Sequence, residues 1–232
     1  DLGSVALSRG AGHEAIRIHG QAVSLAQQFG ETDLLIAGLA SLGAAEYQEG
    51  RTEEAGRRYQ QALDLLQRAA DQRTEAMLRN NLGLIRQATG DAGQAEQLFR
   101  QAMALNQAAG HPAAEASNHV NLGILAEERR EYEVAEREFE RALELDKTAE
   151  RRAEIAADLL RLGRVAERRG FPDRGLAYSE RAYRSYLAQG NQAQAIAAIT
   201  FALDCARRLG LVEEVARLEK ELIRLTGSRS GR

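Results

Sequence analysis

Asparagine and arginine side chains recur in this sequence at a fixed interval. Asn81 and Asn121 are 40 residues apart, and Arg161 follows after another 40. An amide side chain offers both a donor and an acceptor, as a peptide unit does, so these asparagines suit hydrogen bonding to the backbone of another chain. The planar fork of an arginine can bind a carboxylate through two hydrogen bonds. The chemistry available to these residue types is hydrogen bonding to amide groups and to carboxylates.

Residues that usually carry catalysis or bind metals are few. The four histidines are His13, His19, His111 and His119, and their spacing does not match a metal site. His119 shares a 40-residue column with Leu39, Leu159 and Ile199, so we expect it to be a packing residue. The single cysteine, Cys205, shares a column with Val5, Ala45, Ile85, Leu125 and Val165, so we expect it to be a buried small hydrophobic residue. We therefore expect no enzymatic activity, no metal and no cofactor.

Composition excludes several classes of partner. The formal charge of −3 gives no field that would attract nucleic acid, and no stretch approaches the roughly 20 apolar residues of a membrane span. Alanine, leucine, glutamate, arginine and glutamine are frequent and only two prolines occur, which favours helix. Lysine occurs only at Lys147 and Lys220, and this preference for arginine favours a bacterial source. The compartment stays open between the cytoplasm and a lipid-anchored position in the periplasm.

An internal repeat of 40 residues runs through the whole chain. The pair Leu-Gly recurs at Leu2-Gly3, Leu42-Gly43, Leu82-Gly83, Leu122-Gly123 and Leu162-Gly163. Seven residues later a second glycine column holds Gly10, Gly50, Gly90, Gly170 and Gly210, with Arg130 in the missing slot. Two alanine columns follow, containing Ala15, Ala55, Ala95 and Ala135 and then Ala22, Ala62, Ala102, Ala142 and Ala182. A period kept in several columns indicates stacked units of one supersecondary type.

Each column has a physical explanation. A glycine inside a helix costs about 1 kcal/mol relative to alanine, so the Leu-Gly glycine indicates that another helix crosses there and leaves no room for a Cβ. The second glycine is placed to end a helix in the left-handed conformation. The alanines mark the closest approach of the second helix to the first. The sequence therefore predicts an all-α fold, a right-handed α-solenoid of stacked helical hairpins.

The period also predicts where each element lies. We expect a single array over 1–226, with units of about 1–30, 31–70, 71–110, 111–150, 151–190 and a capping unit 191–226, and a flexible tail at 227–232. First helices are predicted near 34–49, 74–89, 113–129, 152–169 and 192–209. Second helices are predicted near 12–29, 52–69, 92–109, 132–148, 172–189 and 211–226. Residues 1–9 are predicted to be the end of a first helix that stops at Gly10.

These motifs resemble the tetratricopeptide repeat, in its 40-residue variety with longer helices. The resemblance covers nearly the whole chain, and it departs from the pattern at Ser179, which replaces an aromatic residue, and in the last unit, which has Glu219 in that column. Similar proteins bind peptides or helices in a concave groove that the first helices line. The resemblance thus implies a scaffold for protein–protein interaction. It also implies that the first-helix columns contact the ligand.

Applied to this sequence, the resemblance gives eight candidates for the groove. They are Tyr47, Asn81, Gln87, Asn121, Arg161, Arg164, Arg168 and Arg207. In family members that bind extended peptides, asparagines in the column of Asn81 and Asn121 bond the ligand backbone. The arginines would then receive an acidic side chain or a free C-terminus.

Other interpretations of the same residues stay open. In the alternative interpretation, the asparagines only cap a neighbouring helix or face solvent. The arginines then pair internally with Glu127, Glu128, Glu167 and Asp204. The acidic residues of 131–140 are expected to form a solvated convex face. Two other roles compete with the peptide-binding scaffold. One is a sensor or regulatory module cut from a larger signalling protein, and the other is an exported, lipid-anchored assembly factor of a bacterial envelope.

Overall fold

A computed structural model describes residues 2–66 and 71–227, with side chains from residue 11 onwards. In this part of the chain helices are the only regular secondary structure. In chain order they are α1 Leu2–Phe29, α2 Thr32–Gln48, α3 Thr52–Leu66, α4 Gln72–Ala88, α5 Ala92–Ala108, α6 Pro112–Glu128, α7 Tyr132–Thr148, α8 Arg152–Arg168, α9 Pro172–Ala188, α10 Gln192–Arg208 and α11 Val212–Gly227. The predicted all-helical fold is confirmed, and the predicted helices from α2 onwards lie within a few residues of these bounds.

The helix ends have the geometry that the glycine column predicts. Gly50 has a φ of +78°, its amide donates to the carbonyl of Tyr47 at 3.0 Å, and the amide of Arg51 donates to that of Glu46 at 2.8 Å. This pair of bonds satisfies carbonyl groups that the last helical turn would otherwise leave without a donor. The chain reverses there, so that α2 and α3 pack as a hairpin.

Two residues that have a Cβ adopt the same left-handed conformation. Arg130 ends α6 with a φ of +60°, and Glu150 follows α7 with a φ of +54°. Arg130 makes the same bonds as Gly50, since its amide donates to Glu127 at 2.9 Å and the next amide donates to Ala126 at 2.8 Å. The hairpin geometry therefore forms without glycine, at a cost in backbone strain.

Replacing Arg130 by glycine is expected to stabilise the protein. A residue with a Cβ pays about 1–2 kcal/mol in the left-handed region, and part of this is offset because glycine loses more entropy on folding. We expect Arg130→Gly to raise the free energy of unfolding by about 1 kcal/mol, measured by urea denaturation. The reverse change at the matching position, Gly90→Arg, should lower it. Equal stability of all three proteins would contradict this account.

The chain divides into two compact units, with the boundary between His111 and Pro112. In the first unit, consecutive helices from α1 to α5 pack on one another around an apolar core in which Tyr59 is 3 % exposed and Leu78 is fully buried. In the second unit, α6 to α11 enclose a core that includes Phe139, Leu162 and Leu218. From α3 onwards, the alanines of the two repeat columns are fully buried, at Ala55, Ala62, Ala95 and Ala102 in the first unit and at Ala135, Ala142 and Ala182 in the second.

The Leu-Gly glycines lie where helices cross at close range, as predicted. A Cβ on Gly83 would be 2.6 Å from the ring of Phe99, and one on Gly123 would be 2.5 Å from the ring of Phe139. Both distances are far below van der Waals contact, so the aromatic ring on the second helix occupies the space that glycine leaves. The cost of a glycine inside the first helix is thus offset by a buried aromatic side chain.

The first helix corrects one prediction. The sequence predicts that a helix ends at Gly10 and that a second one begins near residue 12, but α1 continues from Leu2 to Phe29 without a break. Glycine permits a turn without enforcing it, and the ladder of backbone hydrogen bonds continues where no packing partner draws the segment back. Residues 2–9 therefore do not fold onto 12–29.

The C-terminal helix closes the second unit. Glu219 takes the place of the aromatic residue in α11 and is 46 % exposed at its side chain, as expected of a cap that faces water. The predicted flexible tail lies outside the described residues except for Gly227, the last residue of α11. Within residues 2–66 and 71–227, no helix combines the length and the apolar composition needed to cross a membrane.

Candidate binding surface

The eight candidate residues all lie on first helices of hairpins. Tyr47 is on α2, Asn81 and Gln87 are on α4, and Asn121 is on α6. The arginines follow on α8 and α10, at Arg161, Arg164, Arg168 and Arg207. In α2, α4, α6 and α8 the Leu-Gly pair and the residue two positions after it are buried, and in α10 the corresponding Ala202, Leu203 and Cys205 are buried. The columns on either side of them remain exposed or half-buried, so they are the ones that a ligand could contact.

In the first unit the candidates combine an aromatic ring with amides. Tyr47 is 38 % exposed, and Asn81 and Gln87 are half-buried. The Asn81 side chain forms no hydrogen bond with any other residue of the described ranges. Its donor and acceptor groups are therefore not used within the described residues.

In the second unit Asn121 is also half-buried, but its neighbour His119 differs from the prediction. His119 is only 12 % exposed at its side chain, and its Nδ1 lies 2.6 Å from Oε2 of Glu138, while Nε2 is 3.8 Å from Oε1 of Glu115. Three residues of its column, Leu39, Leu159 and Ile199, are apolar, so the sequence favoured a packing residue, although Arg79 shares the same column. The facing helix instead supplies a carboxylate, which makes His119 a buried polar link between α6 and α7.

Most of the candidate arginines have carboxylate partners within the second unit. Arg161 donates to Oδ1 of Asp158 at 2.8 Å. Arg207 is 2.7 Å from Oε1 of Glu219 and 3.8 Å from Oδ1 of Asp204. Two further contacts involve Glu167, which is paired with Arg208 and is 4.0 Å from Arg168. Internal pairing therefore uses Glu167 and Asp204, as the alternative interpretation expects, together with Asp158 and Glu219, which the sequence did not indicate.

Arg164 differs from these arginines. It is exposed on α8, and it forms no ion pair within residues 71–227. Its guanidinium is near enough to Tyr186 to lower the pKa of that phenol, although burial of Tyr186 has the larger effect and raises it. Among the candidate arginines, Arg164 therefore has its full set of donors available for an anion.

A buried pair of acidic residues lies where α7 packs on α8. Asp146 is 1 % exposed and Asp158 is fully buried. Burial raises the pKa of Asp158 to about 7, against the attraction of Arg161 and with a further upward contribution from Asp146. Burial also raises the pKa of Asp146, while Arg151, at 3.1 Å, lowers it. The sequence offered one signal of this pair, because Asp158 stands in a column with the apolar Leu78 and Ala198.

A second network corrects the expectation of a solvated acidic face on α7. Glu136 is only 7 % exposed, and it pairs with Arg169 and with Arg174, the latter at 2.6 Å. The ring of Phe171 lies 5.6 Å from the Arg169 guanidinium carbon and 5.9 Å from that of Arg174. Charge spacing alone could not predict these ion pairs of Glu136, because Arg169 lies in the α8–α9 turn and Arg174 at the start of α9.

Cys205 is buried, as predicted, with 1 % of its surface exposed. Burial raises the pKa of its thiol to about 11, with a smaller contribution from Asp204, so the thiolate that reacts as a nucleophile is scarce at neutral pH. Across the described ranges, no group of three or more histidine, cysteine, aspartate or glutamate residues is arranged to hold a metal ion.

Part of the repeat array matches a known family of repeats. The sequence model of a family described as tetratricopeptide repeat matches residues 73–148, which include α5 and α6. The same 40-residue columns continue on both sides of this segment. Residues 73–148 therefore match the tetratricopeptide repeat, and the chain has the fold of proteins built from such repeats. This family forms scaffolds for protein–protein interaction, so the fold indicates a protein or a peptide as the partner. A comparison with curated protein sequences found no match.

Solved structures share the fold at low sequence identity. BtubC (BKLC) from P. vanneervenii has a TM-score of 0.83 and 18 % identity, and the alignment covers 96 % of this chain and 93 % of that one. A second structure is a signal transduction ATPase with numerous domains from Pyrococcus horikoshii, which has a tetratricopeptide repeat sensor. Its TM-score is 0.84 at 16 % identity, and the alignment covers 98 % of this chain and 35 % of that one. A Rap protein complexed with competence and sporulation factor has a TM-score of 0.66 and 15 % identity, and the alignment covers 85 % of this chain and 55 % of that one.

Proposed function

We propose that this repeat protein binds an extended segment of a partner protein along the exposed columns of its first helices. The amides of Asn81 and Asn121 bond the backbone of the segment, and Tyr47 and Gln87 extend the contact on α2 and α4. An acidic side chain or a free C-terminus of the ligand binds at Arg164. The protein acts as a non-enzymatic scaffold.

The observation that carries this proposal is the contrast in hydrogen bonding among the polar candidates. Asn81 and Arg164 have no partner among the described residues, whereas Arg161 and Arg207 are each held by a carboxylate within 2.8 Å. A half-buried amide inside a helix gains nothing in helix propensity over alanine. Its presence is explained if a ligand uses the hydrogen-bonding groups.

The experiment is a selection of peptides from a random library displayed on phage, with wild-type protein as the target. Peptides that bind are then measured by calorimetry against Asn81→Ala/Asn121→Ala and, separately, against Arg164→Ala. Each lost hydrogen bond to a ligand is worth about 0.5–1.5 kcal/mol, so the double variant should bind about tenfold more weakly or worse. Arg164→Ala should weaken binding and reduce its dependence on salt, since salt screens the charge.

Matched controls separate binding from folding. Gln97→Ala removes an exposed amide from a second helix, α5, and Arg137→Ala removes an exposed arginine from α7. Both should bind the selected peptides as the wild type does, and all variants should melt at the same temperature. Peptides that bind the asparagine variant at full strength would contradict the proposal. Arg161→Ala is not a suitable test, because it would leave the carboxylate of Asp158 buried without its partner.

One comparison favours a second candidate, a sensor module of a larger signalling protein. The P. horikoshii protein has a tetratricopeptide repeat sensor, and 98 % of the present chain aligns with 35 % of that protein. Both candidates predict ligand binding by the first helices. They differ in what binding does, because a sensor must change the state of a second domain whereas a scaffold need not. Peptide-dependent change in the activity of a linked domain would support the sensor.

A further inference from the structure

Two carboxyl groups meet in the interior of the second unit, where α7 packs on α8. Asp146 is 1 % exposed and Asp158 is fully buried, and their side chains lie close enough to hydrogen bond with each other. Two ionised carboxylates cannot form that bond, because neither has a donor. A single proton between them makes one group the donor and the other the acceptor.

The hydrogen bonding of Asp158 agrees with a shared proton. Its Oδ1 accepts a hydrogen bond from Arg161 at 2.8 Å, whereas its Oδ2 is buried and has no donor among the described residues. A buried carboxylate oxygen without a donor is costly, because burial removes the water that would otherwise solvate it. With a proton on Oδ2, the same oxygen becomes the donor to Asp146.

The charges around the pair balance when it holds one proton. Within the part of the chain that the structure describes, the other groups whose charges act on the two aspartates are Arg151, Glu154 and Arg161. Three carboxyl groups therefore face two arginines, and two of the three are in the interior. Carboxylates that share a site oppose each other's ionisation, so one of them keeps its proton to a higher pH. Burial acts in the same direction and raises the pKa of Asp158 to about 7.

The two arginines differ in how firmly they are held. Arg151, in the turn before α8, donates to a backbone carbonyl of α6 at 2.7 Å and to Glu154 at 2.8 Å, as well as to Asp146. Arg161 hydrogen bonds only to Asp158 within residues 71–227, and 32 % of its side chain is exposed. A change in the charge of Asp158 therefore acts mainly on Arg161.

Arg161 is a neighbour of the arginine to which the proposed function assigns the acidic group of the ligand. Arg161 and Arg164 are three residues apart on α8, so they lie on one face of the helix. The pKa of Tyr186 on α9 is raised by burial and is also affected by the charges of Arg161, Asp158 and Arg164. The buried pair and the two arginines therefore share one neighbourhood.

We propose that a proton shared by Asp146 and Asp158 controls whether Arg161 joins Arg164 in binding the acidic group of the ligand. This inference rests on the proposed function, to which it adds a second arginine and a dependence on pH. With the proton in place, the pair holds Arg161 weakly, and two guanidinium groups can bind one carboxylate. When the proton leaves, the added negative charge holds Arg161 at Asp158 and repels the ligand.

The first test needs no ligand. Carbon-detected NMR of the isotope-labelled protein follows the carboxyl groups of Asp146 and Asp158 as the pH is raised, and the Nε–Hε resonance of Arg161 follows its guanidinium. We expect one carboxyl group to keep its proton until about pH 7 and the Arg161 resonance to change at the same midpoint. Asp158→Asn should remove this midpoint from the Arg161 resonance. Two carboxyl groups that are both ionised at about pH 5, or an Arg161 resonance that does not follow them, would overturn the proposal.

The second test uses peptides selected on the wild type that lack histidine and bind Arg164→Ala more weakly. Calorimetry should show at least about fivefold weaker binding at pH 8.5 than at pH 6, which is the lower end of typical coupling between sites. By linkage, binding near pH 7 should take up protons, and heats measured in two buffers of different ionisation enthalpy report that uptake. Asp158→Asn should bind at pH 8.5 as tightly as the wild type does at pH 6.

The outcomes of the second test separate this inference from the proposed function. Peptides that depend on Asn81 and Arg164 but bind equally at both pH values would overturn the inference and leave the proposed function intact. If no selected peptide depends on Arg164, the acidic subsite of the proposed function is wrong and the inference fails with it. The NMR titration then still shows whether the buried pair holds a proton.

Two further variants distinguish release of Arg161 from a general effect of charge. In the Asp158→Asn background, Arg161→Ala leaves no carboxylate of residue 158 without a partner. The double variant should lose the gain in affinity of Asp158→Asn and bind equally weakly at both pH values. Asp173→Asn, which removes an exposed carboxylate from α9, should keep the wild-type pH dependence. A double variant that binds as tightly as Asp158→Asn would show that Arg161 does not contact the ligand and would overturn the proposal.

Discussion

Ala135→Leu is expected to lower the free energy of unfolding by about 1–3 kcal/mol, because the added carbons have no space to enter. Ala135 lies on α7 in the column of closest approach and is fully buried in the core of the second unit. In the same column, the carbonyl oxygen of Gly175 is only 3.2 Å from the place of a Cβ on Gly163. Urea denaturation of the two proteins measures the difference.

Two control variants show whether overpacking is the cause. Ala114→Leu makes the same change at an exposed position of α6 and should leave stability unchanged within about 0.5 kcal/mol. Cys205→Ala makes the opposite change in a buried column and should cost only its lost volume, with peptide binding intact. If Ala135→Leu were as stable as the wild type, α6 and α7 would not cross as closely as the alanine column predicts.

Asp158→Asn is expected to stabilise the protein at neutral and alkaline pH and to remove part of its pH dependence. The pKa of Asp158 is about 7 in the folded protein, above the ordinary aspartate value of 3.8, chiefly because the group is buried. The unfolded chain therefore loses this proton at a lower pH than the folded chain does. Stability from the protonated group is complete below about pH 4 and is lost as the pH rises through 7.

The charges around Asp158 set the size of the effect. Arg161 on α8 and Arg151 in the preceding turn favour ionisation of the pair, while Asp146 on α7 and Glu154 on α8 oppose it. One pKa unit corresponds to about 1.4 kcal/mol, and two coupled carboxyl groups titrate as a pair, so we expect a loss of about 1–3 kcal/mol between pH 4 and 8. Asparagine keeps the shape and an acceptor for Arg161 without the charge.

Urea denaturation at a series of pH values tests this expectation. The free energy of unfolding of the wild type should fall from pH 4 to 8. That of Asp158→Asn should fall less, so the variant should be the more stable protein at pH 8. Asp204→Asn serves as the control, because the Asp204 side chain is 57 % exposed and its ion pair with Arg207 is long, at 3.8 Å. Parallel pH profiles for the wild type and Asp158→Asn would show that Asp158 is ionised in the folded protein throughout this range.

The candidate site was only partly predictable from sequence. The repeat places Asn81, Asn121 and the four arginines on first helices, and the structure has them there. The sequence could not separate Arg164 from Arg161, because the partner of Arg161 is the fully buried Asp158. Pairing depends on which side chains converge from different helices, and a 40-residue column carries no information on that.

The sequence by itself determined the all-helical fold, the hairpin repeat and nearly all helix bounds, because glycines recur at most close crossings and most helix ends, where the space and the backbone conformation favour them. It also determined the burial of Cys205, through the apolar column around it. Only the tertiary structure decided that α1 continues through Gly10, that His119 and Glu136 are held by charged partners, and that Asp146 and Asp158 share one interior site. Backbone hydrogen bonds and periodic burial are set by nearby residues, whereas the protonation and pairing of buried groups are set by residues that meet only after the helices have packed.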